Sequence, residues 1–201
     1  NPKLNEIAII NTGCFTGKDE SFFVDDELIK KEKLENDIIK PVILGKEPKR
    51  YILHIPKRKS IYPYQLVDGK TKIIEEKDLR KNYPNTFKYL QKHKKSLLSR
   101  RDSRVSFSES VRSWYSYTRK GLLDIFNKEK IIVGYITNTN NFCIDEHKNI
   151  YGVGRAFSIS LNNPNYKLNY LLAILCSKLY LFLMKKECPI KKGGFFKISS
   201  A

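Results

Sequence analysis

Asp37-Ile-Ile-Lys-Pro-Val-Ile-Leu-Gly-Lys-Glu-Pro-Lys-Arg-Tyr51 is the stretch on which the reading of the fold turns. Ile38 to Leu44 and Tyr51 to Ile55 are short runs rich in branched apolar residues, and each reads as a strand. Gly45 and Pro48 punctuate the segment between them, so the chain is expected to turn there. That turn carries Lys46, Lys49 and Arg50, with Lys40 in the preceding strand. Cations gathered on a turn held between strands form a surface suited to phosphates.

Outward from this hairpin the pattern continues as short strands mixed with a few helices. Toward the N-terminus, Glu6-Ile-Ala-Ile-Ile-Asn11 reads as a strand, Thr12 to Gly17 as a turn and Ser21 to Asp25 as a returning strand. Asp26 to Asn36 fits a short helix or loop. Toward the C-terminus, Ile61 to Val67 is extended, and Pro63 marks it as an edge. Asp68-Gly69 turns the chain. Pro84 to Arg101 is predicted as one helix, with Phe87, Leu90, Lys94, Leu97 and Arg101 at helical spacing and Lys88, Lys92, Lys95 and Arg100 on the other face. Ser103 to Ser110 reads as a mobile loop. Ile131 to Ile136, Phe142 to Asp145 and Ala156 to Leu161 are further strands. A long apolar helix is expected from about Lys167 to Lys185, after which the chain stops without a closing element. The fold class is mixed α/β (α+β), mainly antiparallel sheet with several helices, in one domain over 1–201.

Lys and Arg total 38 against 21 Asp and Glu, a net charge of +17, which repels itself unless a polyanion is nearby. Lys-rich composition alone inflates such a figure, but here the charge is patterned. Asp19 to Asp37 holds eight acidic and three basic residues, whereas Lys40 to Ser60 and Lys88 to Arg104 each hold seven basic and one acidic. Lys185 to Lys197 holds five basic and one acidic. One basic face is the expected result. Cys14, Cys143, Cys176 and Cys188 show no C-x-x-C pair and no zinc-ligand spacing, so free thiols in a cytoplasmic protein are expected. The apolar run Leu168 to Met184 is short for a membrane span, and no membrane partner is expected.

These pieces fall in a recognisable order. Thr12-Gly13 through Gly17 with Phe22-Phe23-Val24-Asp25 is followed by Ile39-Lys-Pro41 through Tyr51. Then come Tyr83-Pro-Asn-Thr-Phe-Lys-Tyr-Leu90 with Lys94, Leu97 and Arg100 or Arg101, and Trp114-Tyr115 with Arg119. Lys130-Ile-Ile132, Phe142-x-Ile-Asp145, Leu172-Ala-Ile-Leu-Cys-Ser177 and Gly193-Gly194-Phe195 complete the series. In this order they resemble the C-terminal specificity, or target-recognition, domain of TaqI-like adenine methyltransferases and combined restriction-modification enzymes. Cys176 departs from the pattern, where the family often has Asn before Ser. The resemblance implies sequence-specific binding of double-stranded DNA, with a methyltransferase domain N-terminal in the same parent chain. It also implies S-adenosylmethionine, and possible Mg2+, as cofactors of that parent.

The chemistry of methyl transfer is missing from this stretch of chain. Asn1-Pro2-Lys3-Leu4 lacks the second Pro and the aromatic of an amine-binding Asn-Pro-Pro-Tyr loop. Gly152-x-Gly154 lacks a strand-turn-helix context for a methyl-donor nucleotide. No catalytic residue, metal ligand or cofactor is therefore assigned here. The DNA-binding candidates are Lys46, Lys49, Arg50, Arg112, Trp114, Arg119, Arg155 and Lys192. Arg50, Arg119 and Arg155 suit guanine edges, because the guanidinium fork meets O6 and N7 together. Lys46, Lys49 and Lys192 suit phosphates. Trp114, beside Tyr115 and Tyr117, is either a base wedge or a core anchor, and packing is the favoured reading. Two alternatives belong to other classes. One is a small metal-dependent nuclease built on Glu47-x-Lys49, with Glu75-x-Lys77 as a second such triplet. The other is a nonspecific binder of single strands or RNA using basic and aromatic residues.

Overall fold

The computed structural model describes residues 3–54, 56–102, 105–106, 113–147 and 151–198. The chain forms two compact units: Asn1–Gly13, Ile43–Ile55 and Ile125–Ala201 make the first, Cys14–Val42 and Pro56–Asp124 the second.

The first unit is organised on a four-stranded antiparallel sheet in the order Ala8–Thr12, Ala156–Leu161, Lys130–Gly134, Phe142–Asp145. Ile131, Val133, Phe142, Phe157 and Ile159 face Leu168, Leu171, Leu172 and Leu175 of the helix Leu168–Leu175 and Met184 of the helix Lys178–Glu187. Ile132, Cys143 and Ala156 pack instead with Ile43 and Leu53. Both faces of the central strands are thus covered, which is why Lys130-Ile-Ile-Val-Gly134 reads as a nearly continuous apolar run. Lys130 stands opposite Asp145 in register; both are 0% exposed and their charges meet at 2.5 Å. The ammonium also donates to the Phe126 carbonyl at 2.7 Å, so a charge buried in the sheet keeps several partners. Burial nevertheless pulls the Lys130 pKa below its ordinary value, against the upward pull of Asp145.

The apolar helix expected as one piece is two. Leu168–Leu175 and Lys178–Glu187 are bent by 62°. Ser177 causes the break: it takes extended backbone angles, and its Oγ accepts from the Tyr180 N–H at 3.0 Å as the cap of the second helix. Among the described residues no single helix is long and apolar enough to cross a membrane. The C-terminal end is closed, contrary to expectation. Ile190–Lys191 pairs with Phe195–Lys197, which pairs with Ile136–Thr137. The reversal passes through Gly193 at φ 80° and Gly194 at φ 74°, a left-handed step that side chains resist.

In the second unit, Lys59–Ile61 lies between Ile39–Pro41 and Phe23–Val24, all antiparallel. Tyr64–Val67 and Lys70–Ile73 form a separate hairpin turning at Asp68-Gly69, as Pro63 and the turn residues suggested. The helices are Asp26–Glu32, Glu76–Asn82, Pro84–Lys92 and Lys94–Leu98. The helix predicted over Pro84 to Arg101 breaks at His93 (φ −96°, ψ 1°). Its N-terminus is held from outside: the Glu35 carboxylate accepts from the N–H groups of Asn85 and Thr86, each at 2.9 Å.

Three strand assignments also change. Ser21 and Phe22 end a helical turn, Asp19–Phe22, and only Phe23–Val24 is strand. The N-terminal strand begins at Ala8, after a turn Leu4–Ile7. Tyr51 to Ile55 is not the partner of Ile38 to Leu44: that partner is Lys59–Ile61. Lys49 and Ile52 exchange backbone hydrogen bonds around Tyr51, whose φ of 64° cannot continue a strand. Within the expected loop Ser103 to Ser110, Val105–Ser106 pairs with Arg101–Asp102, and the rest lies outside the described residues.

Candidate nucleic-acid interface

The basic loop Gly45 to Ile52 belongs to the first unit, and two glycines hold it there. A Cβ on Gly45 would meet the Arg155 carbonyl oxygen at 2.1 Å, and one on Gly134 would meet the Gly45 oxygen at 1.8 Å. Only glycine permits three backbones to approach so closely. The loop is fastened again where Tyr51 N–H donates to the Phe142 carbonyl at 2.8 Å. Lys46 therefore follows directly on a backbone packed against Arg155. Lys46, Lys49 and Arg50 are all exposed. The Arg50 guanidinium lies 5.2 Å from the Tyr51 ring centre, and its charge works against the burial that raises the Cys176 thiol pKa. Lys40 stays in the second unit, opposite Ser60.

Beside the loop stands a tyrosine that the sequence reading passed over. Tyr135 follows Gly134; its N–H donates to the Arg155 carbonyl at 2.7 Å, and its own carbonyl accepts from the Ile198 N–H at 2.9 Å. These two bonds bring Arg155 and Lys197 to the ring, at 5.7 Å and 5.4 Å from its centre. Lys197 is the largest influence on the Tyr135 hydroxyl, and Lys197, Arg155 and Lys191 together hold its pKa below the usual 10.0. Lys192 is exposed in the adjoining reversal. Among the described residues, none of Lys46, Lys49, Arg50, Arg155, Lys191, Lys192 and Lys197 is in an ion pair. Tyr135 was hidden in an apolar run; its signal was an amphipathic ring directly after a glycine.

The remaining candidates separate from this group. Arg119, in the second unit, is exposed, exchanges backbone bonds with Phe15 and sits 5.3 Å from that ring. With Lys120, Ser116 and Tyr117 it lines a cleft of about 450 Å³. Arg112 lies outside the described residues. Trp114 takes the packing role favoured above and leaves the DNA-binding candidates: it is 8% exposed, its ring packs on Phe87 and Tyr115, and its Nε1 donates to Glu76 at 3.2 Å. Tyr115 and Tyr117 are buried too, so the aromatic segment forms the core of the second unit and has no free face for bases. Arg100, expected on the solvent face of a helix, is 5% exposed and donates to the carbonyls of Thr16, Trp114 and Ser116. Burial lowers its pKa to about 10, leaving it charged at neutral pH.

The nuclease triplets are engaged locally. The Glu47 carboxylate accepts from the Leu44 N–H at 2.6 Å and closes its own turn, while Glu75 pairs with Lys77 on the surface. Among the described residues no cluster of three His, Cys, Asp or Glu side chains is arranged for a metal. Gly152 and Gly154 flank the end of the strand Tyr151–Val153, with no helix following, so a methyl-donor nucleotide does not fit there.

The chain belongs to the TaqI-like C-terminal specificity domain family, whose model matches residues 40–201. It is 31% identical over 140 residues to the type II restriction enzyme and methyltransferase RM.Eco57I of Escherichia coli, covering 67% of this chain and 14% of that protein. It is 26% identical over 135 residues to the type II methyltransferase M.MjaIV of Methanocaldococcus jannaschii, covering 65% of this chain and 41% of that one. The aligned parts thus span well under half of either relative. Among solved structures, the type IIL restriction-modification enzyme MmeI in complex with DNA matches 100% of this chain and 24% of its own, with a TM-score of 0.67 at 13% identity, which shows a shared fold.

Proposed function

We propose that this chain is the DNA-reading module of a larger restriction-modification adenine methyltransferase, binding duplex DNA at a defined sequence. The observation that carries the proposal is a set of first-unit cations in no ion pair among the described residues: exposed Lys46, Lys49, Arg50, Arg155, Lys191 and Lys192, with half-buried Lys197. In such a surface the lysines neutralise phosphates and fix register, while a few side chains reach base edges. Arg50 is the reader assigned here in the first unit and Arg119 in the second, whereas Arg155, whose guanidinium stands beside Tyr135, is placed for a phosphate. Lys46, Lys49 and Lys192 hold the backbone. The methyltransferase domain precedes this module in the parent, which works in the cytoplasm. The parent supplies S-adenosylmethionine binding and methyl transfer, with Mg2+ needed only if it also cleaves. The module alone has no turnover.

The RM.Eco57I and M.MjaIV names support the methyltransferase parent, and the MmeI–DNA complex supports DNA as the partner. Glu47 is already used by its own turn, and the Trp114 segment is core; both facts weigh against the nuclease and the single-strand readings. Fluorescence anisotropy with duplex and single-stranded oligonucleotides over a range of salt is the test. If about five phosphates are neutralised, log K for duplex falls with log salt at a slope of roughly −4 to −5. A flat salt response, or a preference for single strands, overturns the proposal.

A further inference from the structure

The geometry points to Tyr135, Lys197 and Arg155 as a built seat for one phosphodiester oxygen, with the Tyr135 hydroxyl as the direct donor. This deepens, and rests on, the duplex-DNA reading above. Three observations support it. First, the position is fixed by backbone bonds on both sides of Tyr135, to Arg155 and to Ile198, so neither cation depends on a flexible loop for its placement. The ring is half-buried and lies 5.9 Å from Phe157, which anchors it to the core while the hydroxyl end stays outside.

Second, the charge is uncompensated. The groups facing the phenol are Lys197 from the strand Phe195–Lys197, Arg155 from the start of Ala156–Leu161 and Lys191 from Ile190–Lys191. All are cations. Three cations held around one neutral group repel one another until an anion joins them. Third, the hydroxyl is polarised for donation. Lys197, with its ammonium 5.4 Å from the ring centre, favours loss of the phenol proton, and a more acidic phenol makes a stronger donor to an anionic oxygen.

The arrangement also sets a pH dependence. Once the phenol loses its proton, the resulting phenolate pairs with Lys197 and Arg155 and repels phosphate. Its pKa lies below 10.0, so that loss precedes the general titration of lysines. Binding through this seat should therefore weaken on the alkaline side before the other interactions do.

The experiment uses the full chain with two readouts. Duplex affinity is measured by anisotropy from pH 7 to pH 10 for the wild type, Tyr135→Phe and Lys197→Ala. Tyrosine ionisation is followed at 295 nm with and without inorganic sulfate, the Tyr135 contribution being taken as the difference from Tyr135→Phe. Tyr135→Phe keeps the ring against Phe157 and so preserves the fold. It should bind roughly tenfold more weakly at pH 7, the worth of one hydrogen bond to a charged group, and lose the early alkaline decline. Sulfate should raise the Tyr135 pKa in the wild type and not in Lys197→Ala. Wild-type binding that is salt-sensitive, with Tyr135→Phe equal to it at every pH and no sulfate effect, overturns the seat and leaves the DNA reading standing. A sulfate effect without duplex binding supports the seat and overturns the DNA reading. Absence of both overturns both.

Discussion

Net charge divides almost evenly between the two units: 15 basic against 6 acidic residues in the first, a net +9, and 23 against 15 in the second, a net +8. The cations are nevertheless used differently. In the second unit several surface cations stand beside carboxylates: Lys59 with Asp26 and Lys92 with Glu32 at 2.5 Å, Arg80 with Glu76 at 2.7 Å, Lys18 with Glu20 at 2.8 Å. In the first unit the pair Lys130–Asp145 is buried. Among the described residues, exposed Lys46, Lys49, Arg50, Arg155, Lys191 and Lys192 of the first unit are in no ion pair, and Arg50 and Arg155 stand beside the rings of Tyr51 and Tyr135. Paired surface charges cancel their field within a few ångströms, whereas unpaired ones project it and draw in a polyanion. Where charge sits relative to acids therefore says more about binding than net charge does.

The largest effect expected from this contrast is on folding. Removing one member of the buried pair, in Asp145→Ala, should lower the unfolding free energy by roughly 3–5 kcal/mol, because Lys130 is left charged inside the sheet. The double variant Lys130→Met with Asp145→Leu should recover most of that loss. Urea denaturation of the three proteins measures it, and an undiminished loss in the double variant would remove the ion pair as the cause. In the second unit, Trp114→Ala should cost about 3 kcal/mol as a buried aromatic truncation. At temperatures where the variant is folded, its salt slope for duplex DNA should equal that of the wild type. A changed slope would return the aromatic segment to the binding surface.

A smaller effect is set by Glu35. Burial acts to raise its pKa, but hydrogen bonds from Thr86 Oγ1 and from the Asn85 and Thr86 N–H groups together bring it below 4.5. A carboxylate with a depressed folded pKa contributes fully above its unfolded value, and the contribution disappears as pH falls through the folded value. Glu35→Gln should thus be less stable at pH 7 by about 1 kcal/mol, the worth of a helix cap, and the difference should shrink below pH 4.5. Urea midpoints from pH 7 to pH 3 for both proteins show it. Smaller still is the exposed pair of the second unit: Lys92→Ala should change stability by no more than about 1 kcal/mol.

Much of this arrangement was legible in the residues, and the failures have physical reasons. The apolar strand Ala156 to Leu161, the Asp68-Gly69 turn and the cations of Lys46 to Arg50 are local signals and appear as read, whereas the strand read over Ile131 to Ile136 ends at Gly134 and resumes at Ile136. Strand partners are not local. Ile39–Leu44 bypasses Tyr51 to Ile55 and pairs with Lys59–Ile61, because backbone bonds from Lys49 and Tyr51 fold the intervening loop on itself. Ser177 inside an apolar run marks a cap, but only the bend shows that it acts as one. Arg100 and Lys130 look like surface cations until their carbonyl and carboxylate partners are seen. Of the candidate site, the cations of the loop and Arg155 were visible. Tyr135 and Lys197 were not, since they meet only through the C-terminal strand pairing with Ile136–Thr137.

The central claim is that DNA meets the unpaired cations of the first unit and not the paired cations of the second. The direct test compares two double variants with the wild type in a salt titration of duplex binding. One is Lys49→Ala with Arg155→Ala, and the other is Lys59→Ala with Lys92→Ala. The first should reduce the steepness of log K against log salt by about 2, close to 0.9 for each phosphate no longer neutralised, and the second should leave it within about half a unit of the wild type. Equal reductions in both, or a reduction confined to the Lys59 and Lys92 variant, would contradict the account.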